Sequence, residues 1–315
     1  MALLTPVGFF IFNRPDVTEK VFAAIAQAKP KQLFVVADGP RPDRPGEAEK
    51  CEKTRSIIQK VDWDCEVTTN YSDTNLGCGR REASGFDWIF SQVEEAIFLE
   101  DDTLPSSSFF SFCEAMLERY RHDERIMSIN GDNSVNQGKT ADSYYFSKYP
   151  HSWGWASWRR AWQHYSYSMK SWSEFKQSGL FDLICEDQYE RKYWANIFDQ
   201  MYENPQVLDT WDYQWLYTCW SQGGLAIAPN QNLISNLGFN RPDAAHTVGD
   251  DPRSRLETSD IWELQHPLFV IRQSEADRRT FDLIFGGKEM REQNRLLLKV
   301  RRHLSSARKK FALQF

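Results

Sequence analysis

Short apolar runs alternate with amphipathic stretches along the first 130 residues. Val7-Gly8-Phe9-Phe10-Ile11-Phe12 is uninterrupted by polar side chains, the pattern of a strand covered on both faces. Residues 16–28 then place Val21, Phe22, Ala24 and Ile25 on one helical face, with Asp16 at the start. Leu33-Phe34-Val35-Val36-Ala37 reads as the second strand, and a helix is expected around 46–60. Cys65-Glu66-Val67-Thr68-Thr69 gives a third strand, 80–93 a helix, and Ala96-Ile97-Phe98-Leu99 a fourth strand. A helix over 107–121 leads to Ile126-Met127-Ser128-Ile129. This alternation predicts an α/β sandwich around a mostly parallel central sheet. Trp155, Trp158 and Trp162 are spaced to share one face of a helix.

Polar groups recur where these strands end. Asn13-Arg14-Pro15 follows the first, Asp38-Gly39-Pro40 the second, Asn70 the third and Glu100-Asp101-Asp102 the fourth. In open α/β sheets ligands bind beyond the carboxyl ends of the strands, so these groups meet on one rim. Asp-Gly-Pro is also good turn chemistry. Three successive carboxylates after a buried strand are not, and a cation among them relieves their repulsion. Hard oxygen ligands of this kind suit Mn2+ or Mg2+. The chain has no G-x-G-x-x-G after its first strand, no G-x-x-x-x-G-K-[ST] and no G-x-S-x-G, so the usual glycine cradles and the hydrolase elbow are absent.

Composition changes this picture in three places. The 315 residues carry a net charge of −6, but nine Lys/Arg against two Glu from Lys288 onward leave a +7 tail and a −13 body. The acidic body disfavours nucleic acid as a partner. The tail has an apolar helical stripe at Leu296, Leu297, Val300 and Leu304, which suits either an anionic membrane surface or packing on the body. No apolar run reaches the roughly 18 residues of a spanning helix, and the first residues lack a secretory pattern. With six scattered cysteines at 51, 65, 78, 113, 185 and 219, in no metal spacing, the expectation is a cytoplasmic protein with reduced thiols, peripheral at the inner membrane face if the tail binds lipid. Finally, 12 Trp is high, and five of them (153, 155, 158, 162, 172) fall within twenty residues. Such rings stack on sugars or fill cores, and Trp153, ahead of the expected helix, is the one placed to meet a ligand.

Phe98-Leu99-Glu100-Asp101-Asp102-Thr103-Leu104-Pro105 with Phe109-Phe110 resembles the Glu-Asp-Asp motif of GT-A glycosyltransferases, most of all the inverting N-acetylglucosaminyltransferase I family and related bacterial nucleotide-diphospho-sugar transferases. Four other segments resemble that family in order. They are Phe12-Asn13-Arg14-Pro15 with Asp38, Ser152-Trp153-Gly154-Trp155, Thr210-Trp211-Asp212-Tyr213-Gln214-Trp215, and Asn236-Leu237-Gly238-Phe239 with His246-Thr247. The resemblance implies a GT-A (Rossmann-like) α/β/α sandwich with a nucleotide-sugar-binding half (1–130), an acceptor-binding and catalytic half (131–265) and a basic helical extension (266–315). It implies transfer of a hexosyl or N-acetylhexosaminyl group, with inversion, from a nucleoside-diphosphate donor, UDP foremost, to a hydroxyl of a glycan or lipid-linked glycan.

On that reading Asp212 is the general base, with Asp209 the competing carboxylate and helix capping its other employment. Asp102 and His246 hold the metal. Asn13, Arg14, Asp38, Arg81, Glu100 and Asp101 bind the donor, and Trp153 and Asn133 the acceptor. Gly77-Cys78-Gly79-Arg80-Arg81 brings backbone and guanidinium close to a phosphate or base, or simply opens a helix. Two other functions fit the same residues: a sugar-phosphate nucleotidyltransferase, for which Asn13-Arg14-Pro15 is a poor first loop, and a carbohydrate-binding protein without catalysis.

Overall fold

The computed structural model describes residues 2–135, 142–241, 243 and 251–295. Its first strands and helices follow the apolar pattern closely: β1 (Val7–Ile11), α1 (Pro15–Ala28), β2 (Gln32–Ala37), α2 (Glu47–Ser56), β3 (Glu66–Tyr71), α3 (Cys78–Phe90) and β4 (Glu95–Glu100). After β4 come β5 (Thr103–Pro105), α4 (Phe109–Tyr120), β6 (Ile126–Asn130), β7 (Tyr144–Ser147), β8 (Trp155–Trp158) and the single turn α5 (Arg159–Trp162). A helical layer α6 (Trp172–Gln177), α7 (Leu180–Ile184), α8 (Gln188–Glu203) and α9 (Asp212–Ser221) precedes β9 (Leu225–Pro229) and β10 (Ile234–Asn236). The last named helix is α10 (Ser274–Ile284).

Eight strands form one sheet in the order β3-β2-β1-β4-β8-β6-β9-β7. β1, β2, β3 and β4 are mutually parallel, and β6 and β9 share their direction through the antiparallel β8. Only β8 and the edge strand β7 run the other way. This is the α/β sandwich with a mostly parallel sheet that the alternation predicted. Both halves of the chain contribute to that one sheet.

Apart from the edge strand β3, none of whose residues is buried, the sheet is covered on both faces, as its continuous apolar runs require. Phe9, Ile11, Val35, Ile97 and Leu99 pack under α1 and α4, while Phe10, Phe34, Val36 and Phe98 pack on Phe86, Ile89 and Phe90 of α3. A third cluster joins Trp172, Trp194, Phe198 and Trp220 within the helical layer.

The Trp-rich segment departs from expectation. Trp155 and Trp158 lie on a strand, not a helix. Trp155 faces the α3 side and Trp158 the opposite side, so the segment alternates with period two. Spacings of three and seven are common to both element types when a strand is apolar on both faces, so periodicity alone could not separate them. Trp155, Trp158, Trp162 and Trp172 are all core residues. The tail begins as a helix over 287–295. The rest of the expected basic helix, with Leu296, Leu297, Val300 and Leu304, lies outside the described residues.

Candidate active site

The carboxyl ends of β1, β2 and β4 open into a cavity of about 300 Å3. Arg14, Asp38, Arg81, Glu100, Asp101, Asp102, Trp153 and Asp212 all line it. Eight of the residues singled out from sequence are thus brought to one cleft.

The acidic triplet is built by the end of β4. The Thr103 hydroxyl accepts from the Glu100 amide (2.8 Å) and donates to the Glu100 carbonyl (3.1 Å), closing a tight turn. That turn presents Asp101 and Asp102 between the main sheet and the two-stranded β5/β10 ribbon. The Phe12 amide donates to Asp101 Oδ2 (3.2 Å), and the Leu237 amide to the Asp102 carbonyl (2.7 Å). Gly238 passes so near that a Cβ there would lie 2.3 Å from Asp102 Oδ2. Only glycine lets that segment cover the carboxylate.

Charge in the cleft is lopsided. Arg14 donates to Asp102 Oδ2 (2.8 Å) and approaches Asp101 (3.7 Å). Arg41 and Arg81 also line the cavity, and against these three cations stand Asp38, Glu82, Glu100, Asp101, Asp102, Asp209 and Asp212. Burial, followed by the charge of Asp102, pushes the Asp101 carboxyl up to about 7. Burial pushes Glu82 up to about 8, and Glu100 is driven well above the usual range by burial and then by Glu82. Among the described residues no three His, Cys, Asp or Glu side chains converge as a ready-made metal cage. Mg2+ and Mn2+ do not need one, since they commonly take one or two carboxylates and fill the other positions with water and substrate phosphate oxygens. A pair of Asp carboxylates at a concave rim, covered by a side-chain-free residue, fits that mode. His246, the other expected ligand, lies outside the described residues.

Opposite the triplet, Asp212 is the first residue of α9, and the Thr210 hydroxyl donates to its Oδ1 (2.5 Å). Neighbouring Trp211 is buried against Trp155, ring centroids 5.1 Å apart. The competing carboxylate, Asp209, lines the same cavity but already has backbone partners. It accepts from the amides of Cys78 (3.2 Å) and Gly79 (3.1 Å) and so caps α3 from 130 residues away. Gly77, just before that helix, has φ of +81°, and a Cβ there would sit 2.7 Å from Asp209 Oδ1. Gly77→Ala should therefore lose at least about 1 kcal/mol of unfolding free energy in urea titration, from backbone strain together with displacement of the cap.

Several expected donor ligands already have partners in the protein. Asn13 donates to Glu47 (2.8 Å), whose carboxylate also clamps Arg41. Asp38 accepts from the amides of Gly39, Leu76 and Gly77 and from Asn75 Nδ2, all between 2.9 and 3.1 Å. Arg81 donates to the carbonyls of Ala37 (3.2 Å) and Asn70 (2.5 Å), tying together the ends of β2 and β3. Asp38 and Arg81 still line the cleft, but they organise its wall.

Of the two residues expected to meet an acceptor, Trp153 packs edge-on against Phe239 (5.5 Å), with the Arg253 guanidinium 5.0 Å from its ring. Asn133 is buried away from the cavity, where its Nδ2 donates to the Pro229 carbonyl (2.6 Å) and its amide to Asn232 Oδ1 (3.1 Å). It holds the β6 loop to the end of β9.

Sequence reasoning passed over Arg41, Asn75 and Glu82, which share the cavity. Arg41 follows the Asp38-Gly39-Pro40 turn, a usable signal, whereas Glu82 lies inside a helix and nothing local marks it. It also passed over the pair formed by His151 Nδ1 and Asp132 Oδ2 (2.9 Å) beside Trp153. Burial lowers the His151 pKa, but the Asp132 charge and hydrogen bond outweigh it, and the net shift is upward. A raised imidazole stabilises the fold fully below its unfolded value of about 6.5, and that contribution is lost as pH rises through the folded value. The stability gap between wild type and Asp132→Asn should accordingly narrow between pH 6 and pH 8 in thermal melts. A constant gap would contradict a charged pair.

No protein-family model and no curated protein matches the chain. Solved structures similar to it include a UDP-glucose pyrophosphorylase complexed with UDP-glucose, at 12% identity over 46% of this chain and 62% of that one, with a TM-score of 0.27. HddC from Yersinia pseudotuberculosis is similar at 10% identity over 50% of this chain and 78% of that one, with a TM-score of 0.32. The chain thus spans about three fifths of the length of the first of these.

Proposed function

We propose that this protein is a metal-dependent glycosyltransferase that moves a sugar, with inversion, from a UDP-type donor to a hydroxyl of a glycan or lipid-linked glycan. One observation carries the reading. A carboxylate pair suited to a divalent cation (Asp101, Asp102) and a helix-start carboxylate held by the Thr210 hydroxyl (Asp212) line one cavity of about 300 Å3, the size of a small-ligand site.

In this scheme the donor diphosphate lies over Asp102 with Arg14 beside it. Mn2+ or Mg2+, held by Asp102 and the phosphate oxygens, would supply positive charge to the leaving diphosphate. The sugar points toward Asp212. The acceptor hydroxyl enters past Trp153 and gives its proton to Asp212 as its oxygen bonds to the anomeric carbon. The bond from that carbon to the phosphate oxygen breaks, and UDP leaves with the electron pair. Attack opposite the leaving group inverts the centre. The Thr210 hydroxyl orients the base.

The deciding experiment is a thermal-shift screen of UDP-, GDP-, CMP- and dTDP-sugars with and without Mn2+, followed by turnover of the stabilising donor with glycan acceptors. A metal-dependent shift with one donor class and release of the nucleoside diphosphate support the proposal. Pyrophosphate release from a nucleoside triphosphate and a sugar 1-phosphate would replace it with the nucleotidyltransferase reading. Sugar binding without any nucleotide binding would replace it with a carbohydrate-binding one.

A further inference from the structure

The segment from Ile261 to Gln273 runs as a strap along the outer edge of β7. The Ser143 amide donates to the Gln265 carbonyl (2.8 Å), the Gln273 amide donates to the Phe146 carbonyl (2.8 Å), and Phe146 bridges Arg272. Ile261, Leu264 and Val270 turn inward onto the core. Four large apolar side chains turn the other way: Trp262 is 68% exposed, Leu268 86%, Phe269 68% and Ile271 66%. Among the described residues no other stretch of ten exposes so much apolar surface. Between Glu263 and Arg272 the strap contains no Asp, Glu, Lys or Arg. Four such side chains left in water are a liability unless something covers them.

The charge distribution identifies the cover. The strap enters α10, a helix of 11 residues and hence about 16 Å long. Only four residues beyond α10 the basic stretch starts at Lys288, with its net charge of +7 against −13 for everything before it. Exposed Trp, Phe, Leu and Ile at one end of a short helix and a cationic segment at its other end match the two components of an anionic bilayer surface, acyl boundary and headgroup charge.

We infer that the strap is a membrane-docking surface, inserting Trp262, Leu268, Phe269 and Ile271 into a lipid surface rich in anionic headgroups while the basic stretch binds those headgroups. It would hold the enzyme at a bilayer without a spanning helix, and none of the helices among the described residues is long and apolar enough to span. The inference does not depend on the proposed reaction.

The test is co-sedimentation of the full chain with phosphatidylglycerol-rich and with phosphatidylcholine vesicles. The comparison is with a variant carrying Trp262→Ser, Leu268→Ser, Phe269→Ser and Ile271→Ser, and with residues 1–295, which lack six of the nine basic residues of that stretch but keep the Arg291 pairs to Asp187 and Asp282. All four sites face solvent, so circular dichroism and the melting temperature of the quadruple variant should match wild type. Wild type should pellet with phosphatidylglycerol-rich vesicles. The quadruple variant should bind them at least about tenfold more weakly, since one buried apolar side chain is already worth that factor. Removing those six basic residues should abolish the preference for anionic over neutral vesicles. Equal binding by wild type and the quadruple variant would overturn the strap's role. So would absence of wild-type binding, or a concentration-dependent dimer in light scattering that the quadruple variant loses.

Discussion

Asp212→Asn should cut transfer by about 10²- to 10⁴-fold, the usual worth of a positioned general base. It should leave the affinity for the nucleotide donor within about twofold. The substitution keeps the volume and the hydrogen bond from Thr210, so α9 should start as before. What disappears is a group that can take a proton. Asp209 gives the control. Its carboxylate spends both oxygens on the first amides of α3, so Asp209→Ala should cost about 1 kcal/mol of stability, the usual effect of a lost cap. Steady-state kinetics and calorimetric donor titration on both variants separate the two roles. Turnover retained by Asp212→Asn, or a larger kcat loss in Asp209→Ala, would move the base to the other carboxylate.

Asp102→Asn should act on the donor side. Wild type should bind UDP more tightly with Mn2+ than without, and the variant should lose most of that difference. Groups that merely support a metal ligand are often worth 10- to 100-fold in metal affinity, so losing a ligand should exceed that range. Without metal the variant should bind UDP at least as tightly as wild type, because a negative charge has left the site and Arg14 is released toward the diphosphate. The apo variant should remain folded, because Arg14 keeps its bond to the Asp243 carbonyl (3.0 Å) and one charge leaves a crowded acidic site. Isothermal titration of UDP with and without Mn2+ reads all of this. An unchanged metal effect would remove Asp102 from the proposed ligand set.

The parts of the fold legible in the sequence were those in which burial alone dictates the pattern. β1, β2 and β4 are doubly covered strands, and apolar runs of that length with turn residues behind them have few other uses. The rim of the cleft was legible for a related reason, since whatever follows such strands must gather at their carboxyl ends. β8 was not legible as a strand, because an aromatic segment buried on both faces fits helical spacing equally well. Residue roles were harder still. Asp209 and Asp212 are three apart and chemically alike, and only the arrival of the first turn of α3 shows which one is occupied. Asp38, Arg81 and Asn13 were singled out as ligand-binding, yet their hydrogen bonds also go to loop and strand-end backbone, to Asn70 and Asn75 and to Glu47. Polar residues at a cleft serve both the ligand and the wall, and a linear pattern does not divide them. Glu82 shows the converse, since only the close approach of α3 to α9 gives it any meaning.

The cap from Asp209 to α3 also constrains how such a protein can change. Residues 209–212 carry, within one turn of chain, both the clamp on the cleft wall proposed to face the donor and the carboxylate proposed to activate the acceptor. A substitution that reshapes that wall for a different sugar nucleotide pulls on the same short segment and displaces the base. Donor preference and turnover are therefore not separately adjustable from this side of the cleft. Natural or engineered drift toward a new donor should run through the Asn13–Arg14 loop or the Asp38 turn, leaving the 209–212 segment untouched.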